Sequence, residues 1–116
     1  MSSDFATVGG YPYKVISKDP NATLDYHVIL SAWLGANALA SAAWDVEAGL
    51  TLVSSSINSG SVTIDGTAYA ANTVATAWLS GGTVGVTYKV RCRFTDNNSP
   101  TARIDDRTFA VRVIER

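Results

Sequence analysis

The chain has few of the residues on which catalytic and covalently stabilised proteins depend. Among its 116 residues there is one cysteine, Cys92, and one histidine, His27. A single cysteine excludes a disulfide within the chain. With one histidine there is no second imidazole for a metal site, and no serine lies in a Gly-x-Ser-x-Gly turn beside a base. The sequence therefore predicts a protein that is not an enzyme and uses no cofactor or metal.

Charged residues are also scarce. They make up 16% of the chain, against about 25% in an average soluble domain. Nine Lys and Arg against ten Asp and Glu give a net charge of -1. Because counterion release from nucleic acid needs a basic surface, direct nucleic-acid binding is not expected. A surface rich in Ser, Thr, Ala and Gly is suited to contact with other proteins.

Long apolar runs are absent as well. No stretch of the sequence approaches the roughly 20 apolar residues of a membrane-spanning helix. The N-terminus lacks the basic and then apolar organisation of a signal peptide. We therefore expect no membrane insertion, and a protein that is made in the cytosol and reaches any outside location by another route, for example as part of a particle.

What the chain does contain is enough for one domain with its own core. Residues 1–12 are interpreted as an N-terminal arm, because the chain is small and polar up to Gly10. Two aromatic side chains of this arm, Phe5 and Tyr11, are candidates for contact with a partner. Residues 13–116 are interpreted as the folded domain.

The clearest element lies between Tyr88 and Phe94. Its apolar residues alternate with Lys89, Arg91 and Arg93, as in a strand with one buried and one wet face. The pattern places Cys92 inside, as a small apolar residue rather than a nucleophile. The basic row on the outer face is interpreted as matched to acidic residues on neighbouring strands or on a partner protein. A tyrosine that follows a glycine turn and begins a strand also resembles the corner of immunoglobulin-like sandwiches.

Several other segments alternate in the same way or are bounded by turn residues. The predicted strands are a short edge strand that ends at Lys18 before Pro20, then Thr23–Ser31, Ala38–Val46, Leu50–Ile57, Asn72–Leu79 and a last strand with Phe109, Val111 and Val113 inside and Arg107 outside. Asp65-Gly66 predicts a two-residue hairpin turn at about residues 60–71. The fold class is therefore all-β, an immunoglobulin-like antiparallel β-sandwich of seven to nine strands with an inserted β-hairpin.

The alanine-rich segment Ala38–Val46 is ambiguous. Alanine favours helix, and a helix over Ala36–Trp44 is the competing prediction. Turn residues on both sides leave little room for a stable helix, so we predict a strand with Trp44 in the core. Trp33, beside the Gly35 turn, is expected to be the most exposed of the three tryptophans.

Two binding chemistries remain open. The clustered side chains of Asp96, Asn97 and Asn98, with Asp105 and Asp106, could ring a calcium ion, although such residues commonly form turns. Trp33 and Tyr69 could stack on sugars, although aromatic residues in a small sandwich are usually core.

Four segments of the chain carry a resemblance to a known group of proteins. They are Lys18–Tyr26, Ser31–Leu34, Ala77–Tyr88 and Arg107–Val113. These segments resemble small structural proteins of tailed bacteriophages and prophages, a group described as virion proteins and in some cases as fibre–tail adaptors. The resemblance covers the chain from about Lys18 to Arg116.

The resemblance implies a non-enzymatic module, made in the bacterial host cytoplasm and located in the virion. It implies contacts with tail, connector, fibre or capsid proteins, in several copies per particle. A capsid decoration protein and a carbohydrate-binding module for host adsorption are the alternatives. The candidate interface residues are Phe5, Tyr11, Trp33, Tyr69, Lys89, Arg91 and Arg93.

Overall fold

The computed structural model describes residues 14–115. Nearly every element of this region is a strand. The elements are β1 (Val15–Lys18), β2 (Leu24–Ile29), α1 (Ser31–Leu34), β3 (Leu39–Val46), β4 (Leu50–Ile57), β5 (Val62–Ile64), β6 (Thr67–Tyr69), β7 (Val74–Gly81), β8 (Thr87–Asp96) and β9 (Ile104–Val113). The described part of the chain is therefore mostly β, as predicted.

Two main sheets pack against each other. One has the strand order β1-β9-β8-β3 and the other has the order β2-β7-β4. β1 runs parallel to β9, and the other pairs are antiparallel. The prediction of a short first strand near an edge is confirmed, since β1 has four residues and lies at the end of its sheet.

The strand with the clearest sequence pattern is an inner strand of the first sheet. Tyr88, Val90, Cys92 and Phe94 of β8 are all buried, as the alternation predicts. Burial raises the pKa of the Cys92 thiol to about 12, so this cysteine is protonated and packs as an apolar residue. The core continues into the inward-facing residues of the neighbouring strand, which are Phe109, Val111 and Val113 of β9.

The alanine-rich segment is strand β3, and the competing helix over Ala36–Trp44 is wrong. The segment pairs with β8 from Leu39 to Val46, with one irregularity between Leu39 and Ser41. The helical turn of this region lies earlier, at Ser31–Leu34. Because β3 is at the edge of its sheet, Trp44 is half-buried and lies edge-on to the Phe109 ring rather than deep in the core.

The predicted hairpin is confirmed. β5 and β6 pair through Val62–Tyr69 and form a small sheet of their own. Asp65 and Gly66 have φ values of 50° and 81°, and a two-residue turn of this kind needs positive φ at both positions. The hairpin therefore belongs to neither of the two main sheets.

Two charged side chains are buried although the sequence pattern did not predict this. Arg107 was expected on the outer side of the last strand, but it is buried because it shares a face of β9 with Phe109. Its guanidinium carbon lies 5.8 Å from the Phe94 ring centroid. Lys18 is also fully buried, and its Nζ donates to the carbonyls of Asp19 and Gly81 at 2.8 and 2.7 Å.

Candidate protein-binding surfaces

The basic row on β8 lies on the outer face of the first sheet and is matched by acidic neighbours. Arg91 pairs with Asp45 of β3, and Arg93 lies 3.5 Å from Asp106 of β9. Hydrogen bonding to Asp45 and its charge raise the pKa of Arg91. The interpretation that neighbouring strands supply the opposite charge is therefore confirmed for these two residues.

A shallow groove of about 420 Å³ runs along the same face. Its lining residues are Asp45, Val46, Glu47, Lys89, Arg91 and Thr108. The Lys89 N–H donates to the Glu47 carboxylate, so acidic groups flank the row at both ends. Exposed ion pairs contribute little to folding stability. They can therefore exchange partners with the side chains of another protein without unfolding the sheet.

Trp33 is not the most exposed tryptophan, so that expectation is wrong. Trp33 lies on the one-turn helix α1, and the centroid of its ring is 4.8 Å from that of Phe94. The Arg103 guanidinium covers the indole at 4.5 Å. A sugar that stacked on the face under Arg103 would have to displace this guanidinium. The exposed tryptophan is Trp78, with 41% of its surface accessible.

Arg103 is held over Trp33 by a buried carboxylate. The Arg103 Nε donates to Asp96 at 2.5 Å, and the backbone N–H groups of Arg103 and Asn98 donate to the same carboxylate at 2.7 and 3.1 Å. Burial alone raises the pKa of Asp96, but the two backbone donors and the guanidinium outweigh it and lower the pKa below its usual range.

We expect Asp96→Asn to lower the melting temperature at pH 7. We also expect the melting temperature of this variant to fall less than that of the wild type as the pH is lowered. Because the folded-state pKa of Asp96 is lowered, its charge stabilises the fold above the ordinary carboxyl pKa of about 3.9, and this is lost as the pH falls through the folded value. Thermal unfolding followed by circular dichroism between pH 7 and pH 2 should show the two curves converging. Asp65→Asn, in an exposed turn, is the control at pH 7. A constant gap between wild type and Asp96→Asn would contradict the prediction.

In the loop proposed as a calcium site, the side chains of Asn97 and Asn98 already make hydrogen bonds within the protein. Asn97 Oδ1 accepts the Ala38 N–H at 2.9 Å, and Asn98 Nδ2 donates to the Thr101 carbonyl at 2.8 Å. Within residues 14–115 the structure contains no group of three His, Cys, Asp or Glu that could hold a metal ion. The clustered Asp and Asn residues serve as turn and loop formers here.

Tyr69 lies at the end of the sandwich that carries α1. It is half-buried on β6 and lines a cleft of about 370 Å³ together with residues of β2, α1 and β9, which include His27, Ala32 and Arg107. The structure therefore brings Tyr69 close to the helix that carries Trp33. Neither Tyr69 nor Trp33 belongs to the basic row, which lies on the outer face of the sheet β1-β9-β8-β3.

Two of the candidate interface residues, Phe5 and Tyr11, lie outside the described residues. Their role stays a prediction.

A surface that the sequence analysis did not single out surrounds Trp78 on the middle strand β7. Beside it, His27 Nδ1 lies 2.8 Å from Thr76 Oγ1 and His27 Nε2 lies 3.0 Å from Asp25 Oδ2. The alternation of β7 could have located Trp78, because it places Ala75, Ala77 and Leu79 on the opposite, buried side. The large aromatic ring is outside and the small residues are inside.

The two-sheet domain has paired surface charges, strand edges at the end of each sheet and a hairpin that belongs to neither sheet, and these features suit a structural module. No helix in residues 14–115 is long and apolar enough to cross a membrane.

Residues 18–112 match the family model described as podophage GP4 fiber-tail adaptor protein gp77, and the chain belongs to that family. It is a non-enzymatic structural adaptor protein of a phage virion. Comparisons with curated proteins and with solved structures found no match.

Proposed function

We propose that this chain joins a tail component to a fibre through three surfaces, which are the N-terminal arm, the open edge formed by β3 and β4, and the β5–β6 hairpin. The observation that carries the proposal is the extent of the family match. It begins at Lys18, the last residue of β1, and ends within β9. The sandwich is therefore the part shared with the adaptor family, while the arm precedes it.

The strand order supports an immunoglobulin-like description of the sandwich. One sheet has three antiparallel strands, β2-β7-β4, and the other places β8 and β9 beside β3. This order resembles the division of immunoglobulin-like domains into BED and CFG strands, with the hairpin added between β4 and β7, whereas β1 pairs with β9 instead of extending the sheet of β2. Tyr88 Oη also accepts the Thr83 N–H at 2.9 Å, as a tyrosine corner does.

The hairpin is the second surface because its strands pair only with each other and it carries an aromatic residue. Tyrosine is favoured at protein interfaces because its ring buries apolar area while its hydroxyl keeps a hydrogen bond. Tyr69 is half-buried in the free chain, so part of the ring is already held in place. A partner that covers the rest loses little side-chain entropy on binding.

The location of the chain in intact particles tests the adaptor role. Electron microscopy should show its density between the tail and the fibre bases. Density on the capsid lattice alone would overturn the proposal in favour of a decoration protein.

Tyr69→Ala tests the hairpin within that role. We expect fibre attachment to weaken at least tenfold, the equivalent of about 1.4 kcal/mol, while circular dichroism remains unchanged. Thr63→Ala, an exposed change in the same hairpin, should have no effect on attachment. Equal attachment by the Tyr69 and Thr63 variants would exclude the hairpin as a binding surface.

A further inference from the structure

The side of the sandwich formed by β3 and β4 is an open edge. Both strands are the last of their sheets, and a groove of about 280 Å³ lies between them. Four of its six lining residues have small side chains, namely Ser41, Ala42, Ser55 and Ser56, and the other two are Trp44 and Ile57. Small side chains let another backbone approach closely, so the shape of this edge suits an extended segment.

β4 lacks most of the devices that keep sheet edges from pairing. It has eight residues, Leu50–Ile57, with no charge and no proline, whereas lysine, proline and very short strands are the usual protections. The edge strand β2 has Asp25 and His27, and β1 has only four residues. One irregularity occurs between Leu52 and Ser54, and beyond it Ser54–Ile57 pairs regularly with β7. These four residues leave their other edge free for a partner strand.

Trp44 is the largest residue in the lining of the groove, and its side chain is half-buried. An aromatic side chain of a segment lying in the groove can pack against the exposed part of the indole ring.

From this juxtaposition we infer that Phe5–Val8 of a second copy of this chain pairs along Ser54–Ile57, with Phe5 seated in the groove against Trp44. The inference deepens the proposed function and rests on it for the role of the arm, since it names the partner of the open edge. The residues that precede β1 contain one short run suited to a strand, Phe-Ala-Thr-Val. It has the same length as the regular part of β4.

The position of β1 favours a neighbouring copy over the chain's own arm. β1 and β3 lie at opposite ends of the four-stranded sheet, which places them about 14 Å apart at the usual strand spacing of about 4.8 Å. An arm that began at β1 would have to cross its own sheet to reach its own groove. When two copies stand side by side, the β1 edge of one faces the β3 and β4 edge of the next. Contacts of this head-to-tail kind generate rings when the rotation closes.

Thiol crosslinking of the full chain tests the inference directly. Cys92 is the one cysteine of the sequence and is buried, so introduced cysteines supply the reactive thiols. Thr7→Cys and Ser56→Cys variants, mixed and treated with a short bifunctional maleimide, should give a crosslinked heterodimer. Thr7→Cys mixed with Ala102→Cys, an exposed position in the loop before β9, should give none.

The double variant with Thr7→Cys and Ser56→Cys separates the two possible donors of the arm. Oligomers crosslinked between chains support the inference. A crosslink confined to single chains would show that the arm occupies its own groove, and the absence of any crosslink would show that the arm does not reach β4. Either result overturns the inference, and neither changes the expected location of the protein between tail and fibre.

Two further variants examine the contacts themselves by analytical ultracentrifugation. Phe5→Ala should weaken self-association more than tenfold, because a single aromatic anchor dominates a small interface. Trp44→Phe should also weaken it, because the smaller ring offers less apolar surface to Phe5. The melting temperature of the monomer, measured alongside, separates this effect from the loss of packing between Trp44 and Phe109. If self-association is unchanged in both variants, or wild type stays monomeric, the inference is wrong.

Discussion

Phe94→Ala is expected to lower the free energy of unfolding by about 3–5 kcal/mol, the range for a phenylalanine deleted from a packed core. Phe94 has no exposed surface and lies on the inner strand β8. Its ring contacts Trp33 edge-on at a centroid distance of 4.8 Å and lies 5.8 Å from the guanidinium carbon of Arg107. Removing it leaves a cavity beside a buried cation. The loss is a large fraction of the about 5–15 kcal/mol that stabilises a typical domain.

Urea unfolding followed by tryptophan fluorescence measures this change. Val53→Ala is the matched control, because Val53 has 55% of its surface exposed, and we expect a loss below about 0.5 kcal/mol for such a surface change. Phe94→Leu should recover part of the loss, since it refills most of the volume with apolar atoms. A loss near that of Val53→Ala would mean that Phe94 is not the centre of this packing.

The strands with a strict alternation could be predicted from sequence because a single physical cause, one wet and one dry face, fixes them. β8 is the clearest example, and its buried residues are those that the pattern selected. The hairpin was predictable for a different reason, since Asp65-Gly66 tolerates the positive φ that its turn requires. Both features depend on residues close together in the chain.

The buried charges could not be predicted because their partners are distant in sequence. Lys18 is stabilised by the carbonyl of Gly81, and the Asp96 carboxylate also lies 3.4 Å from the Asn37 amide nitrogen. Alternation places a residue on a face without saying whether its polar group finds a partner there. Arg107 shares the inner face of β9 by the period of two, whereas its charge favoured the outside. In the structure Arg107 is buried on the inner face.

The candidate surfaces were also predictable only where local sequence decides their structure. That Arg91 and Arg93 would have acidic neighbours followed from strand pairing and low net charge, and the pairs with Asp45 and Asp106 bear this out. The exposure of the tryptophans did not follow, because Trp33 is covered by Arg103 from a loop 70 residues later. Trp78 was left in the open by a strand whose interior side is filled by alanines.

Gly82→Ala is expected to lower the free energy of unfolding by about 2–5 kcal/mol, as the sum of backbone strain and overpacking. Gly82 has φ of +99°, where an L side chain is strained, and an added Cβ would lie 2.5 Å from Val113 Cγ2. The same Cβ would lie 3.4 Å from the Tyr88 ring. Both neighbours are buried core residues, so neither can move aside without disturbing the corner that joins β7 to β8.

Two other glycines separate these causes. Gly85 has φ of +88° but open space around it, so Gly85→Ala reports the backbone strain alone and should cost about 1–2 kcal/mol less than Gly82→Ala. Gly60 has open space and no positive φ, and Gly60→Ala should be neutral or slightly stabilising. All three are compared by urea unfolding.

Val113→Ala then tests the steric part through a double-mutant cycle. If the Cβ contact with Val113 dominates, the combined Gly82→Ala and Val113→Ala variant is more stable than the sum of the two single losses predicts. Strict additivity together with equal losses for Gly82→Ala and Gly85→Ala would assign the whole cost to the backbone. In that case the close packing of β9 against this corner would not be what requires a glycine there.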